Sequence, residues 1–169
     1  MSIKRITIAL AAAAAAVLLA ASPAFAGNAH FIDHHTSASL EGTSVVVSFK
    51  EAGLESGSVE TVTASAHLMA TYQCINNGGT NPADPKKTTV DSEVSQSGEF
   101  TATKNGQLVG SLTLSVPEAS TVLSCPNGQK ATLTAGSWSD ITITDETSGA
   151  SASVDGSFSF GAPVGHGKG

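Results

Sequence analysis

The sequence predicts an all-β fold, an antiparallel β-sandwich of about 8–10 strands. Three observations lead to this prediction. Apolar and polar residues alternate with a period of two after residue 26, turn-forming residues separate the alternating runs, and helical periodicity is missing from the same region. Ser and Thr supply 38 of residues 27–169 and fill most of the polar positions. A chain of 169 residues fits one such domain.

Residues 1–26 have the three parts of a secretory signal peptide. Lys4 and Arg5 form a positive start, and residues 6–21 are apolar except for Thr7. Small residues and an Ala-x-Ala pattern at 24–26 then predict cleavage before Gly27. The apolar run is shorter than the roughly 20 residues of a membrane-spanning helix. We therefore expect the mature chain to be secreted and extracellular, without a membrane span.

The charge of the mature chain excludes several kinds of partner. After residue 26, 14 Asp and Glu stand against six Lys, which gives a net charge of -8, and no Arg remains. Nucleic acids and phosphates are bound by basic side chains, above all by Arg. We expect no nucleic-acid partner, no cofactor and a monomer. The partner would be an unknown extracellular ligand or protein.

Alternating runs mark the strands in chain order. They lie at 45–49, 62–74, 108–116, 141–144 and 153–160, with an apolar residue at most second positions. Residues 62–74 form one long strand or two strands joined by a bend. Four of the nine residues 161–169 are Gly, so we expect a flexible tail after a domain of residues 27–160.

Turn-forming residues separate these runs. Residues 51–58 form a Gly/Ser/Glu loop, and 76–85 form a long loop with two Pro at its end. Asn105-Gly106 lies between two alternating runs, which is the strongest local signal for a β-hairpin because both residues tolerate positive φ. Shorter turns are expected at 126–128 and 155–156.

The two cysteines are expected to form a disulfide. Cys74 is in phase with the apolar face of the long strand, and Cys125 is in phase with Leu123. An even count in an oxidising compartment favours a bridge over a metal thiolate or a reactive thiol. A loop of about 50 residues closed in this way stabilises by roughly 4 kcal/mol.

The spacing of the cysteines is similar to that of the inter-sheet bridge in immunoglobulin domains. The other features of that family are missing. The chain has no Trp at the expected place after Cys74, and Leu123 occupies the position of the expected Tyr before Cys125. The prediction is therefore immunoglobulin-like in architecture only.

Three stretches resemble small exported proteins of actinobacterial type. They are SVVVSFKEAGL at 44–54, ATYQCINNGG at 70–79 and LSCP at 123–126. The resemblance is to an uncharacterised family of secreted β-sandwich proteins with one disulfide. It implies secretion and the pairing of Cys74 with Cys125, and it carries over no catalytic residue.

A cluster of imidazoles near the mature N-terminus suggests a metal site. His30, Asp33, His34 and His35 lie within six residues, and neutral imidazole suits Zn, Cu or Ni. Adjacent side chains of an extended segment point in opposite directions, so His34 and His35 need a bend to share one ion. The alternative is a solvated N-terminal segment.

An exposed aromatic ring is the first candidate for ligand recognition. Carbohydrate-binding sandwiches stack sugars on aromatic rings, and Trp138 is the only Trp. It is in phase with Asp140 and Thr142 on a polar face unless a bulge intervenes. An exposed Trp138 would mark a binding site, whereas a buried one would belong to the core.

The long loop at 76–87 is the second candidate for recognition. Loops of this length without secondary structure often have a role. Its oxygen-bearing side chains, Asn76, Asn77, Asn81 and Asp84, could bind a protein, as a secreted inhibitor does, or hold calcium. Turn chemistry alone also explains this composition.

Catalysis has weaker support. His67 lies on the polar face of its strand with Ser65, and no Gly-x-Ser-x-Gly motif occurs. The acidic residues are scattered and are interpreted as solubilising charges, among them Glu51, Glu60 and Asp145. We expect a non-catalytic extracellular protein with a binding or surface role. The alternatives are a carbohydrate- or protein-binding module and an N-terminal metal binder.

Overall fold

A computed structural model describes residues 28–82 and 85–161. The predicted signal peptide, 1–26, lies outside the described residues, as does all of the predicted tail except Gly161. None of the helices within the described residues has the length and apolar character needed to cross a membrane.

Nine strands, one 3₁₀ turn and one short helix make up the described residues. The strands are β1 (His30–Phe31), β2 (Ser37–Glu41), β3 (Ser44–Ala52), β4 (Val59–Asn76), β5 (Lys87–Thr101), β6 (Gln107–Leu114), β7 (Gln129–Asp145), β8 (Ser151–Ser153) and β9 (Phe158–Phe160). The 3₁₀ turn spans Asp33–His35, and helix α1 spans Ala119–Val122. The all-β prediction is confirmed.

The strands form two antiparallel sheets. In the first sheet, β3 is central and pairs with β1 and β2 along one edge and with β6 along the other. In the second sheet the order is β5, β4, β7, and the far edge of β7 pairs with β8 and β9. Apolar residues of both sheets form one buried cluster, so the sheets are arranged like a sandwich.

The long alternating run forms a single strand, β4, of 18 residues. Its buried side chains occur at every second position from Glu60 to Tyr72, as strand geometry requires, and residues 72–75 are all buried. β4 pairs with β5 along one edge and with β7 along the other. It is therefore the central strand of the second sheet and links its two ends.

The predicted hairpin at Asn105-Gly106 is wrong. The turn itself is present, because Gly106 N donates to Thr103 O at 2.9 Å and Gly106 has a φ of 65°. However, β5 before it belongs to the second sheet, whereas β6 after it belongs to the first sheet. The turn is a corner between the sheets.

Aromatic packing shows why the chain changes sheet at this corner. The rings of Phe100 and Phe49 meet edge to face with their centroids 5.1 Å apart. Gly110 on β6 lies beneath them, and a Cβ atom at this position would lie 2.5 Å from Phe100 and 2.7 Å from Phe49. Phe100 therefore reaches from the end of β5 onto the first sheet, where only glycine leaves room for it.

Candidate functional site

The disulfide between Cys74 and Cys125 is confirmed, with Cα atoms 5.6 Å apart and a sequence separation of 51. Cys74 is fully buried in β4. Cys125 lies just before β7, and Ala131 of β7 stands opposite Cys74 in the register. The bridge therefore joins β4 to the segment that leads into its own neighbour. It does not link the two sheets as the immunoglobulin comparison predicted.

The loop after β4 is held at both ends. Cys74 N donates to Lys86 O at 2.9 Å, and Asn77 N donates to Gly128 O at 3.0 Å. The Lys86 ammonium also donates to Ser124 O at 2.9 Å, beside the disulfide. The described part of the loop, residues 76–82, thus projects from a base fixed by backbone bonds and by a covalent bond.

The predicted ligand residues of this loop differ in their accessibility. The Asn81 side chain accepts a hydrogen bond from Gln73 Nε2 at 3.3 Å, and the Asn76 side chain bonds within the loop. Asn77 is exposed. Asp84 lies outside the described residues. Asn77 is therefore the side chain of this group that the described loop presents most openly.

Trp138 lies in the core with none of its surface exposed. Its Nε1 donates to Thr43 O at 2.9 Å, which satisfies the one polar group of the ring. A bulge at Asp140, where φ is 52°, reverses the side-chain phase of β7 between Thr142 and Ser139. The ring is not available to stack on a ligand.

The N-terminal histidines lie at the surface. His30 is in β1 and bonds through Nδ1 to Asn28 O at 2.7 Å, whereas Asp33, His34 and His35 form the 3₁₀ turn. Among the described residues, no group of three or more His, Cys, Asp or Glu side chains is arranged to hold a metal ion. The structure does not bring the four predicted ligands together.

The outward surface of the second sheet carries many hydroxyl groups. We call the Ser and Thr side chains at its outward positions in 63–71 of β4, 89–97 of β5 and 137–144 of β7 the hydroxyl face. Thr63 and Ser97 are joined across the strands at 2.8 Å, and Thr71 and Thr89 at 3.4 Å. Ser65 stands opposite a Ser on β5 and a Thr on β7.

Two neighbouring cross-strand pairs of the hydroxyl face carry no hydroxyl group, because His67 stands opposite Glu93 and Met69 stands opposite Asp91. His67 Nε2 and Asp91 Oδ1 are 2.7 Å apart, with 40% and 61% of their side-chain surfaces exposed. They are the one side-chain ion pair among the described residues. Met69 beside them is 47% exposed. His67 thus meets a carboxylate, but on an open sheet surface.

Two shallow hollows lie away from this face. The larger, of about 490 Å³, is lined by His35, Lys50, Val109 and neighbouring residues on the outer side of the first sheet. The smaller, of about 280 Å³, lies between the turn that contains Asp33 and the segment around Asp155. Neither is lined by His67 or Asp91.

Three acidic side chains are buried where the sheets meet. Glu51 and Asp145 are completely inaccessible, and Glu60 is 3% exposed. Glu51 comes from β3 of the first sheet, whereas Glu60 and Asp145 come from β4 and β7 of the second sheet. We call these three residues the carboxyl cluster. Their interpretation as solubilising charges is wrong.

Each carboxyl group of the cluster has one oxygen that accepts from a hydroxyl or backbone donor. The bonds run from Ser148 Oγ to Glu51 Oε1 (3.1 Å), from Ser58 Oγ to Glu60 Oε1, and from Thr147 N and Ser148 N to Asp145 Oδ1 (2.8 and 3.3 Å). The second oxygen of each, Oε2 or Oδ2, is buried and has no hydroxyl or N–H partner.

Burial makes the charged forms of the two glutamates costly. It raises the pKa of Glu51 from 4.5 to about 7, and the nearby charge of Asp145 adds to the rise. Burial is also the largest cause of the raised pKa of Glu60, although its bond from Ser58 acts in the opposite direction. These two groups therefore keep their protons at a pH where exposed glutamates are ionised.

The alternation of side chains along the strands could have indicated that the three acids of the carboxyl cluster are buried. Glu51 is two positions after Phe49, Glu60 is two positions before Val62, and Asp145 is two positions after Ile143. All three acids thus share a face with buried apolar residues of their own strand.

Comparison with known proteins adds no assignment, because no protein-family model, curated protein or solved structure matches the chain. The structure itself defines the class: an all-β, disulfide-bonded protein of two antiparallel sheets. Its outer surface presents a hydroxyl face, and its interior contains the carboxyl cluster.

Proposed function

We propose that the chain is a secreted, monomeric and non-catalytic protein that binds an extracellular polymer through its hydroxyl face. The observation that carries this proposal is the breadth of that face, which extends across three adjacent strands. A Ser or Thr hydroxyl both donates and accepts hydrogen bonds. A flat array of them therefore suits a partner that offers many hydroxyl and amide groups along an extended chain, as a polysaccharide does.

The short side chains of the face favour such a partner. Ser and Thr lose little side-chain freedom on binding, so many weak contacts can add up. The cross-strand bonds Thr63–Ser97 and Thr71–Thr89 already fix hydroxyl groups in place. Met69 and the His67–Asp91 pair supply an apolar contact and a charged contact within the same surface.

Export of the chain belongs to the same proposal. The three-part pattern of residues 1–26, the resemblance to small secreted proteins and the disulfide all support it. We also propose an immunoglobulin-like architecture in the loose sense of two facing antiparallel sheets. Mass spectrometry of the protein from the culture medium of an expressing cell tests the export. A chain that begins at Gly27 is expected, and a chain that stays inside the cell with residues 1–26 attached contradicts it.

Co-sedimentation with insoluble polysaccharides tests the binding. The mature chain is mixed with cellulose, chitin and isolated cell-wall glycan, and the bound fraction is measured against protein concentration. Ser95→Lys places a long charged side chain on the hydroxyl face and should weaken binding by about tenfold or more, which is 1.4 kcal/mol.

The matched control is Ser111→Lys. Ser111 is also exposed, but it lies on β6 of the first sheet. This variant should bind like the wild type. A loss of binding in both variants, or no saturable binding to any of the polymers, contradicts the use of the hydroxyl face.

A second candidate function is favoured by the anchoring of the loop at 76–82. The disulfide and the bonds from Cys74 N and Asn77 N hold its base, so it can present a preorganised backbone to a protein. Secreted peptidase inhibitors use such loops. The chain would then inhibit a peptidase stoichiometrically, and replacement of residues 77–80 by Gly-Ser repeats would abolish inhibition without weakening polysaccharide binding.

A further inference from the structure

One oxygen of each carboxyl group in the cluster lacks a hydrogen-bond donor. Oε2 of Glu51, Oε2 of Glu60 and Oδ2 of Asp145 are buried without a hydroxyl or N–H partner. A buried carboxylate without a donor or a counterion is strongly unfavourable. Ser148 donates from Oγ to Glu51 Oε1 (3.1 Å) and from its backbone N to Asp145 Oδ1 (3.3 Å), and Val62, two positions from Glu60, pairs with Asp145. A hydrogen bond between neighbouring carboxyl groups would give these oxygens a partner. Two carboxyl groups can form such a bond only when one of them carries a proton.

The hydrogen bonds of Asp145 identify it as the acceptor. Its Oδ1 accepts from two backbone N–H groups, those of Thr147 and Ser148, and backbone donors favour a carboxylate. Glu51 and Glu60 each accept only a serine hydroxyl, which can also rotate. The arrangement is satisfied when both glutamates donate a proton to Oδ2 of Asp145.

We propose that Glu51, Glu60 and Asp145 form a proton-sharing latch that fastens the two sheets to each other and loosens as the pH rises. Glu51 belongs to the first sheet and its acceptor Asp145 to the second sheet, so the shared proton crosses the interface between them. This inference is independent of the hydroxyl face and does not need a ligand.

The surrounding charges do not offer an alternative partner. The charged neighbours that shift the pKa values of the two glutamates are all acidic: Asp145 acts on both, Glu60 acts on Glu51, and Glu55 acts on Glu60. On β3, the preceding Lys50 faces the outer surface, and on β1 the position opposite Glu51 is Phe31. Within the described residues, no ion pair involves the carboxyl cluster.

The direction of the pH effect follows from the raised pKa values. The folded chain holds the protons of the glutamates more tightly than the unfolded chain does. Their contribution to stability is complete below the unfolded pKa of 4.5 and declines as the pH rises to about 7, where Glu51 ionises in the folded state. Ion-paired carboxylates with a lowered pKa have the opposite effect, because their contribution to stability increases as the pH rises.

Denaturant unfolding of the mature, oxidised chain between pH 4.5 and pH 8 tests the latch. Glu51→Gln replaces the protonated acid by an amide that donates at every pH. The unfolding equilibrium constant of the wild type should rise with pH, relative to that of Glu51→Gln, on the order of 100-fold. Glu93→Gln on the exposed side of β5 is the control and should follow the wild type.

Two outcomes overturn the latch. In one, wild type and Glu51→Gln have parallel pH profiles. In the other, addition of Ca²⁺ at pH 8 stabilises the wild type but not Glu51→Gln, which makes the cluster a cation site. Infrared spectroscopy of the folded wild type keeps the test valid if the variant does not fold. The carbonyl band of buried protonated carboxyl groups should be present at pH 5.5 and lost by pH 8, and its absence at pH 5.5 contradicts the proposal.

Discussion

The two ends of β4 are fastened by different chemistry. Near its C-terminal end, Cys74 is joined covalently to the segment that precedes β7. Near its N-terminal end, Glu60 is buried with Asp145 of β7 and Glu51 of β3. One end therefore depends on the redox state of a bond, whereas the other depends on the protonation of carboxyl groups.

The two ends of β4 respond differently to their surroundings. A disulfide restricts the unfolded chain at any pH. The carboxyl cluster acts only in the folded chain, and its contribution changes with pH. The strand between Glu60 and Cys74 is roughly 45 Å long at about 3.3 Å per residue. Contributions from sites so far apart should add independently.

Removal of the disulfide should have the largest effect on stability. Replacement of both cysteines, by Cys74→Ala with Cys125→Ser, should lower the free energy of unfolding by about 4 kcal/mol, because the unfolded chain regains the freedom of a 51-residue loop. Guanidinium titration measures the loss. The pH profile should keep its shape, and a flattened profile would show that the two ends are coupled.

Removal of the Asp145 carboxylate, the acceptor in the carboxyl cluster, should have the next largest effect on stability. Asp145→Asn takes the charged acceptor away from Glu51 and Glu60, and hydrogen bonds to charged groups contribute about 2 kcal/mol. The loss should appear at pH 5 and shrink by pH 8, where Asn also relieves repulsion between carboxylates. Thermal unfolding at both pH values measures it, and an equal loss at the two values would contradict a protonated cluster.

A core substitution between the two ends should cause a stability loss that depends on neither redox state nor pH. Trp138→Phe removes the bond from Nε1 to Thr43 O and leaves space in the core. The expected loss is about 1–2 kcal/mol in the free energy of unfolding. Titrations of this variant with and without reductant, at pH 5 and pH 8, should show the same loss in all four conditions.

The exposed ion pair in the middle of β4 should have the smallest effect. His67→Gln breaks the contact with Asp91, but both side chains are largely solvated. The stability should change by less than about 0.5 kcal/mol at neutral pH, as for most surface ion pairs. A loss above 1 kcal/mol would show that the hydroxyl face is structurally coupled to the core.

Period-two alternation was sufficient to predict the all-β class and parts of several strands, but the alternating runs did not include β2, β5 or residues 129–140 of β7. It placed the buried residues of β4 and the apolar face of β3, and it gave the correct phase for Cys74. These predictions succeed because side-chain direction in a strand is a local property. The disulfide was predictable as well, since the chain contains only two cysteines.

The sequence could not show which strands would become partners or where the phase would change. The turn at Asn105-Gly106 is encoded locally, but β6 joins the other sheet through contacts distant in sequence, such as its pairing with β3 and the packing of Phe100 against Gly110. The burial of Trp138 depends on a bulge at Asp140, which composition does not reveal. Glu51 followed the same alternation as its apolar neighbours, but its charge and its assignment to the loop at 51–58 led to an exposed assignment, whereas the structure extends β3 to Ala52.

The open edge of β5 gives negative charge a second consequence. β5 pairs with β4 alone among the described strands, so one side of its 15-residue backbone is open to another chain. The outward carboxylates of Glu93 and Glu99 discourage such pairing by repulsion. Negative charge therefore has opposite value at two places in the molecule. On the open edge it keeps neighbouring molecules from pairing, whereas in the carboxyl cluster it weakens the contact between the sheets.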